Sequence, residues 1–337
     1  MTTDSAIVTA VMLVKLGGIL FVTLTLAAYM VLAERKILAR IQGRYGPNRV
    51  GPFGLLQPLA DVIKMITKED ILPDRADKLI FLAAPGIVAG TVLLSFAVVP
   101  FGGPVVIGGR VIAMPVIDLN VGLLYFLALS SLGVYGVALA GWSSGSKYSL
   151  LGGIRGAAQM ISYELSMGLA LAPVVMLSRS FSLSDIVAAQ SGLPFIFYCP
   201  LGFVVFLISV AAESKRIPAD LPEAENELVA GYHTEYSGMR FGLFFIGEYV
   251  NIIVLSAMCV TFFLGGWHGP GPMWLSFVWF FLKGAVIAFF FIWVRGTLPR
   301  LRYDQLMHFG WKLLVPLSLM NVLVTGALAL YFKWGAL

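Results

Sequence analysis

The chain carries little charge and few residues that could bind a metal. Asp, Glu, Lys and Arg make up 12% of its 337 residues, about half the share of an ordinary soluble domain. It has two cysteines and three histidines. Iron–sulfur clusters need several closely spaced cysteines and zinc needs a Cys/His set, so neither centre is expected. Cys199 and Cys259 fall in or at the ends of apolar stretches and read as small hydrophobes, not as a disulfide framework. His233, His268 and His308 lie near loops, away from the mid-span positions where facing helices would hold haem. The run Gly152-Gly153-Ile154-Arg155-Gly156 resembles a phosphate loop only superficially, because no clear strand precedes it. With no cofactor tether, this chain is not expected to move electrons itself.

What fills the sequence instead is apolar: 59% of its residues are hydrophobic. Runs near 20 residues recur along the whole length, as needed to cross about 30 Å of hydrocarbon. They predict eight spans, at 7–33, 79–100, 118–140, 156–178, 195–213, 241–265, 273–295 and 311–332. Internal Gly and Pro are tolerated in membrane helices, and the short alternating segments of a β-barrel are missing. The expected fold is an all-α polytopic membrane protein, a single membrane domain over residues 1–337. The N-terminus does not read as a secretory signal: Asp4 precedes the apolar run, the run is too long, and the basic cluster follows it.

Most of the 23 basic residues fall in alternate loops. By the positive-inside rule those loops are cytoplasmic and both termini face outward. The formal charge of +5 is then a topology signal and gives no reason to expect nucleic acid. Lys15 and Lys283 lie within spans. Lys283, near mid-span, is a counter-ion or a snorkelling side chain.

Carboxylates near or below the headgroups are the costly feature. Glu34 ends the first span, Glu213 ends the fifth, and Glu164 and Glu248 lie about two turns into the fourth and sixth. An ionisable group at that depth commonly faces a polar interior and marks a pathway. A hydrated line of four such groups can exchange protons near neutral pH. At the span ends the plainer reading is a solvated interfacial Glu. The third span has no mid-membrane carboxylate, so a relay through it would need water or another helix.

Two inner loops add to this. Residues 55–68 are expected to form an amphipathic helix, with Leu55, Leu59, Val62 or Ile63, and Ile66 on one side and Gln57, Asp61, Lys64 and Lys68 on the other. Such a helix lies in the membrane plane, as a brace or as the wall of a lateral slot. The third inner loop, Glu213 to Glu227, is acidic beyond what capping by Asp220 and Glu223 needs. The basic last loop, with Arg295, Arg300 and Arg302, offers it an opposite charge.

The stretches Ala33-Glu34-Arg35-Lys36, Gly46-Pro47-Asn48, Gly54-Leu55-Leu56-Gln57-Pro58, Ile161-Ser162-Tyr163-Glu164, Arg216 to Glu227 and Arg300-Leu301-Arg302-Tyr303-Asp304-Gln305 occur in order over almost the whole chain. Together they closely resemble the ND-one type family of membrane subunits of the proton-pumping NADH:quinone oxidoreductase, respiratory complex I. The resemblance implies an eight-helix membrane protein of the bacterial inner membrane, joining a soluble redox arm to antiporter-like subunits. It implies quinone as substrate, with NADH, FMN and iron–sulfur clusters on partner subunits. By the motif positions, Glu34, Arg35, Arg44, Asp61 and Lys64 are implied near the quinone tunnel. Glu164, Glu213, Glu248, Glu223, Glu225 and Glu227 are implied in proton coupling, with Arg216 and Arg295 as charge partners. A membrane component of a related energy-converting hydrogenase, a stand-alone secondary ion transporter and a purely structural anchor are the alternatives. A transporter should carry an internal repeat, and none is evident by eye; an anchor leaves the deep carboxylates unexplained.

Overall fold

In hydrocarbon every backbone N–H and C=O must be satisfied internally, so apolar runs of this length fold as helices. The computed structural model describes residues 3–107, 110–112, 115–223, 225–272 and 275–331. Its helices are α1 (Thr3–Ile41), α2 (Gln57–Thr67), α3 (Lys78–Ser95), α4 (Gly122–Ser143), α5 (Lys147–Ser178), α6 (Leu183–Ala188), α7 (Phe195–Tyr198), α8 (Pro200–Glu213), α9 (Glu225–Leu228), α10 (Gly238–Phe263), α11 (Ser276–Thr297), α12 (Tyr303–Phe309) and α13 (Val315–Tyr331). Among the described residues, seven helical stretches are long and apolar enough to cross a membrane, the last running from Tyr303 to Tyr331 through a π turn at Gly310–Leu314. The chain is a polytopic α-helical membrane protein.

Several boundaries differ from those read from hydropathy. α1 continues past residue 33, which places Glu34 inside a helix and not at its end. α5 begins well before residue 156, because the glycine-rich run is a helical packing surface. A Cβ on Gly152 would sit 2.7 Å from the Tyr232 nitrogen, and one on Gly153 would sit 3.1 Å from the Gly141 Cα. The expected fifth span breaks at Cys199, leaving α8 with 14 residues, about 21 Å of helix. Val105–Ile107 pairs antiparallel with Arg110–Ile112 before α4, a short ladder in which every residue but Arg110 is β-branched.

The bundle builds outward from α10. Residues 254–263 are buried on every face, as expected of a helix with neighbours all round. α3, α11 and α1 pack against α10, α4 joins α3 to α5, and α8 lies on α5. Charged loops gather at one end. Asp77 N donates to Ser143 O at 3.0 Å and Leu301 N to Pro218 O at 3.0 Å. Ile71 N donates to Ser237 Oγ at 2.9 Å. The acidic and basic inner loops meet through backbone carbonyls, Leu301 N donating to Pro218 O and Arg300 to Asp220 O.

α2 has no buried residue, and Leu55, Leu59, Val62 and Ile66 beside or on it are exposed. Its inner side meets α1 and α10.

Candidate functional site

A charge buried in protein needs a partner, since the desolvation of an isolated ion is prohibitive. Just after α8 the chain turns inward and delivers Arg216 into the bundle. One guanidinium nitrogen lies 3.3 Å from Glu34 Oε1, and Nε contacts Glu248. Arg295, from α11, contacts the same Glu34. The Arg216 guanidinium also lies over the Tyr249 ring, 4.4 Å from its centroid. Two carboxylates and two guanidiniums thus close a nearly neutral cluster joining α1, α10, α11 and the α8–α9 loop. Planar guanidinium suits this task, because it presents several fixed donors and can stack on a ring at once.

Beside this cluster, Glu213, Lys215 and Glu248 line a cavity of about 30 Å³ together with Ser130 and Asn251. That is room for a water with polar partners on several sides. Ser130 Oγ donates to Glu213 at 3.1 Å, and Ser131 donates to Glu164. The third span, which has no carboxylate, therefore contributes hydroxyls where the acids meet. Serine at mid-span gave no signal in the sequence, because its hydroxyl usually bonds back to its own helix.

Lys215, in a loop already rich in charge, gave no separate signal either. Its side chain is buried, with Nζ 5.5 Å from the Tyr232 ring centroid. Burial draws its pKa down, and Glu248, Glu213 and Glu223 oppose that shift. Next to it, His233 Nδ1 is 3.9 Å from Glu223. Burial and then the Lys215 charge push His233 down to about 4, so its ring is neutral at pH 7.

Some expected residues stand apart. Glu227 pairs with Arg155 at 2.6 Å and is half exposed. Arg44 is exposed and bonds Gln42, and Lys64 is exposed on α2. The Glu225 side chain lies outside the described residues. Among the described residues no three of His, Cys, Asp and Glu gather as a metal site.

A second cavity, of about 270 Å³ and nearly all apolar, opens between α1, α2 and α10. Leu24, Ala28, Pro58, Met65 and Phe245 line it, and Tyr249 forms part of its wall. Arg35 and Asp61 supply its polar edge, paired at 2.7 Å, with Gln57 donating to Asp61 at 3.0 Å. Such a space suits a flat, largely apolar molecule with a few polar atoms. Tyr249 belongs to both sites, presenting its ring to the apolar cavity and to Arg216.

The NADH dehydrogenase family model matches residues 14–326. The first of two H-type subunits of the NADH-quinone oxidoreductase of Geobacter metallireducens is 68% identical over 96% of this chain and 98% of its own length. The second H-type subunit of Geobacter sulfurreducens is 68% identical over 93% and 94%. The H-type subunit of Syntrophotalea carbinolica is 63% identical over 96% and 98%. These matches span nearly the whole chain, the Arg216 cluster and both cavities included. The chain belongs to the family of H-type membrane subunits of NADH-quinone oxidoreductase.

Proposed function

We propose that the apolar cavity between α1, α2 and α10 is part of the tunnel by which quinone reaches its site of reduction, and that the adjoining buried charges couple that reduction to proton translocation. The observation that carries this reading is the shared position of Tyr249, whose ring borders the cavity and stacks on Arg216. Reduction of a quinone demands protons and alters charge next to the cavity. Arg216, held between Glu34 and Glu248, is the first buried charge to respond. Because pair energies rise steeply as the local dielectric falls, a small movement of Arg216 or of cavity water redistributes protons among Glu248, Glu213 and Glu164.

In this reading Arg35 and Asp61 guide the polar head of quinone past α2. Arg44 and Lys64 lie on the exposed charged side, where they would meet a soluble partner or lipid headgroups. Glu223, Glu225 and Glu227 belong to the loop that faces the redox arm. Electrons come from the NADH, FMN and iron–sulfur clusters of partner subunits, and antiporter-like subunits receive the signal. The gathering of basic loops at one end supports a cytoplasmic face there, with both termini outside a bacterial inner membrane.

A photoreactive quinone in the assembled complex tests the cavity. Labelling is expected on peptides from the facing sides of α1, α2 and α10, displaced by excess quinone. Displaceable labelling confined to other parts of this chain would overturn the assignment.

A further inference from the structure

Lys215 occupies a position that glycine normally takes. It follows Ser214, the C-cap of α8, with a left-handed φ of 55°. Its N–H donates back to Ala212 O at 3.2 Å, as the residue after a helix C-cap does when it closes the last turn. A side chain with a Cβ is disfavoured there, and such a conformation persists where its surroundings impose it. The consequence of this geometry is directional. It turns the lysine stem inward, so that a cation from the loop enters the small cavity between α8 and α10.

The cavity wall explains what that cation meets. Glu213 from the end of α8 and Glu248 from α10 line the same space, with Asn251 and the Ser130 hydroxyl. Outside that lining, Glu223 and the neutral His233 are close enough to interact electrostatically with the ammonium, and the Tyr232 ring lies under it. Arg216, next along the chain, is already engaged by Glu34 and Glu248. Among the described residues Glu213 meets no such guanidinium, and it accepts from a serine hydroxyl. A carboxylate so placed ionises only beside a countercharge, and Lys215 lines the same cavity.

We propose that Lys215 is a positioning residue for proton coupling: its ammonium is the countercharge shared by Glu213 and Glu248, and it makes the two carboxylates titrate as one unit. This rests on the coupling role proposed above for those acids. A flexible ammonium on a four-carbon stem can lean towards either carboxylate as the other gains a proton. The two acids then exchange a proton without leaving an uncompensated charge in the bundle. Groups linked this closely show apparent titrations that belong to the set and not to one residue.

The test uses membranes containing the assembled complex, with quinone-coupled NADH oxidation followed across pH and NADH oxidation by ferricyanide as the measure of assembly. Removing a cation disfavours ionised carboxylates. In Lys215→Met the limb of the profile set by their ionisation is therefore expected to move about one unit alkaline. Lys215→Gln keeps the polar length without the charge and is expected to shift alike, while Lys215→Arg keeps the wild-type position. Combined with Glu213→Gln, Lys215→Met adds a smaller shift than alone. A neutral variant that assembles with an unshifted profile overturns the role of Lys215, provided that Glu213→Gln lowers coupled turnover. Normal coupled turnover in both Glu213→Gln and Glu248→Gln instead overturns the coupling reading itself.

Discussion

The Arg216 guanidinium lies 4.4 Å from the centroid of the Tyr249 ring, and that ring is also part of the wall of the apolar cavity. A ring with an apolar molecule on one side and a cation on the other links two different environments through one rigid group. The cation–π contact contributes about 0.5–2 kcal/mol, depending on how dry the site is. It also helps to set where Arg216 sits between Glu34 and Glu248, the route by which the proposed coupling would run from the cavity to both acids.

Arg216→Lys tests this geometry, since a compact ammonium lacks the wide planar fork that reaches Glu34 and Glu248 while lying flat on the Tyr249 ring. Breaking a buried pair costs about 3–5 kcal/mol. Quinone-coupled turnover is expected to fall by about tenfold or more, while ferricyanide reduction stays near wild type. Equal turnover in the variant, measured in the same membranes, would show that the cluster is not engaged in the reaction.

Asp61→Asn tests the polar edge of the cavity. The Arg35–Asp61 pair is partly exposed, so its loss is worth about 1 kcal/mol or less. The apparent KM for a short-chain quinone is expected to rise up to about fivefold, with a smaller change in maximal rate. An unchanged KM together with unchanged sensitivity to tunnel inhibitors would make α2 a membrane-surface brace.

His233 predicts an acid-sensitive loop. Its pKa is about 4 in the fold against an ordinary value of 6.5. Between those values the unfolded loop binds a proton that the folded loop does not, so stability is complete above pH 6.5 and declines as pH falls towards 4. The loss reaches about 1–2 kcal/mol by pH 5, about 1.4 kcal/mol for each unit of displaced titration. Hydrogen exchange of residues 228–236 should quicken between pH 7 and pH 5, after correction for the intrinsic rate. His233→Phe, which preserves the edge contacts with Tyr232 and Phe241, should remove that dependence.

Lys283 reaches backbone carbonyls and, among the described residues, forms no ion pair with an acid. Its Nζ donates to Leu264 O, Gly266 O and His268 O at 2.7, 3.1 and 2.6 Å, closing the C-terminal end of α10. A cation there satisfies carbonyls that no helix turn reaches, and it complements the negative end of the helix dipole. Lys283→Met is expected to destabilise this end by about 2–3 kcal/mol. Limited proteolysis of the 264–275 loop should accelerate, and Lys283→Arg should restore part of the protection. Unchanged proteolysis in Lys283→Met would deny the clamp.

Much of the fold could be read in the sequence because lipid imposes a simple rule on length. The spans around α3, α4, α10 and α11 follow from apolar runs, and α2 from the spacing of Leu59, Val62 and Ile66. The boundaries that moved have local causes that hydropathy does not report. Pro200 and the turn at Cys199 shorten α8, and Gly152 and Gly153 extend α5 by letting neighbouring backbones approach. Glu34, Glu164, Glu213 and Glu248 were visible as charges in expensive places. The pairing of Glu34 with both Arg216 and Arg295 was not, because it joins residues far apart in the chain. Lys215 could have been found as a cation two residues from a deep carboxylate. Tyr249 and the α4 serines had no such signal, since tyrosine and serine are ordinary in membrane helices.

Proton uptake into sealed vesicles carrying the Glu213→Gln complex tests the central claim most directly. With NADH as donor, quinone as acceptor and ferricyanide activity as the reference for assembly, pumping per assembled complex should fall at least about tenfold, the scale set by losing one buried charge interaction. Wild-type pumping from a fully assembled Glu213→Gln complex would contradict the account.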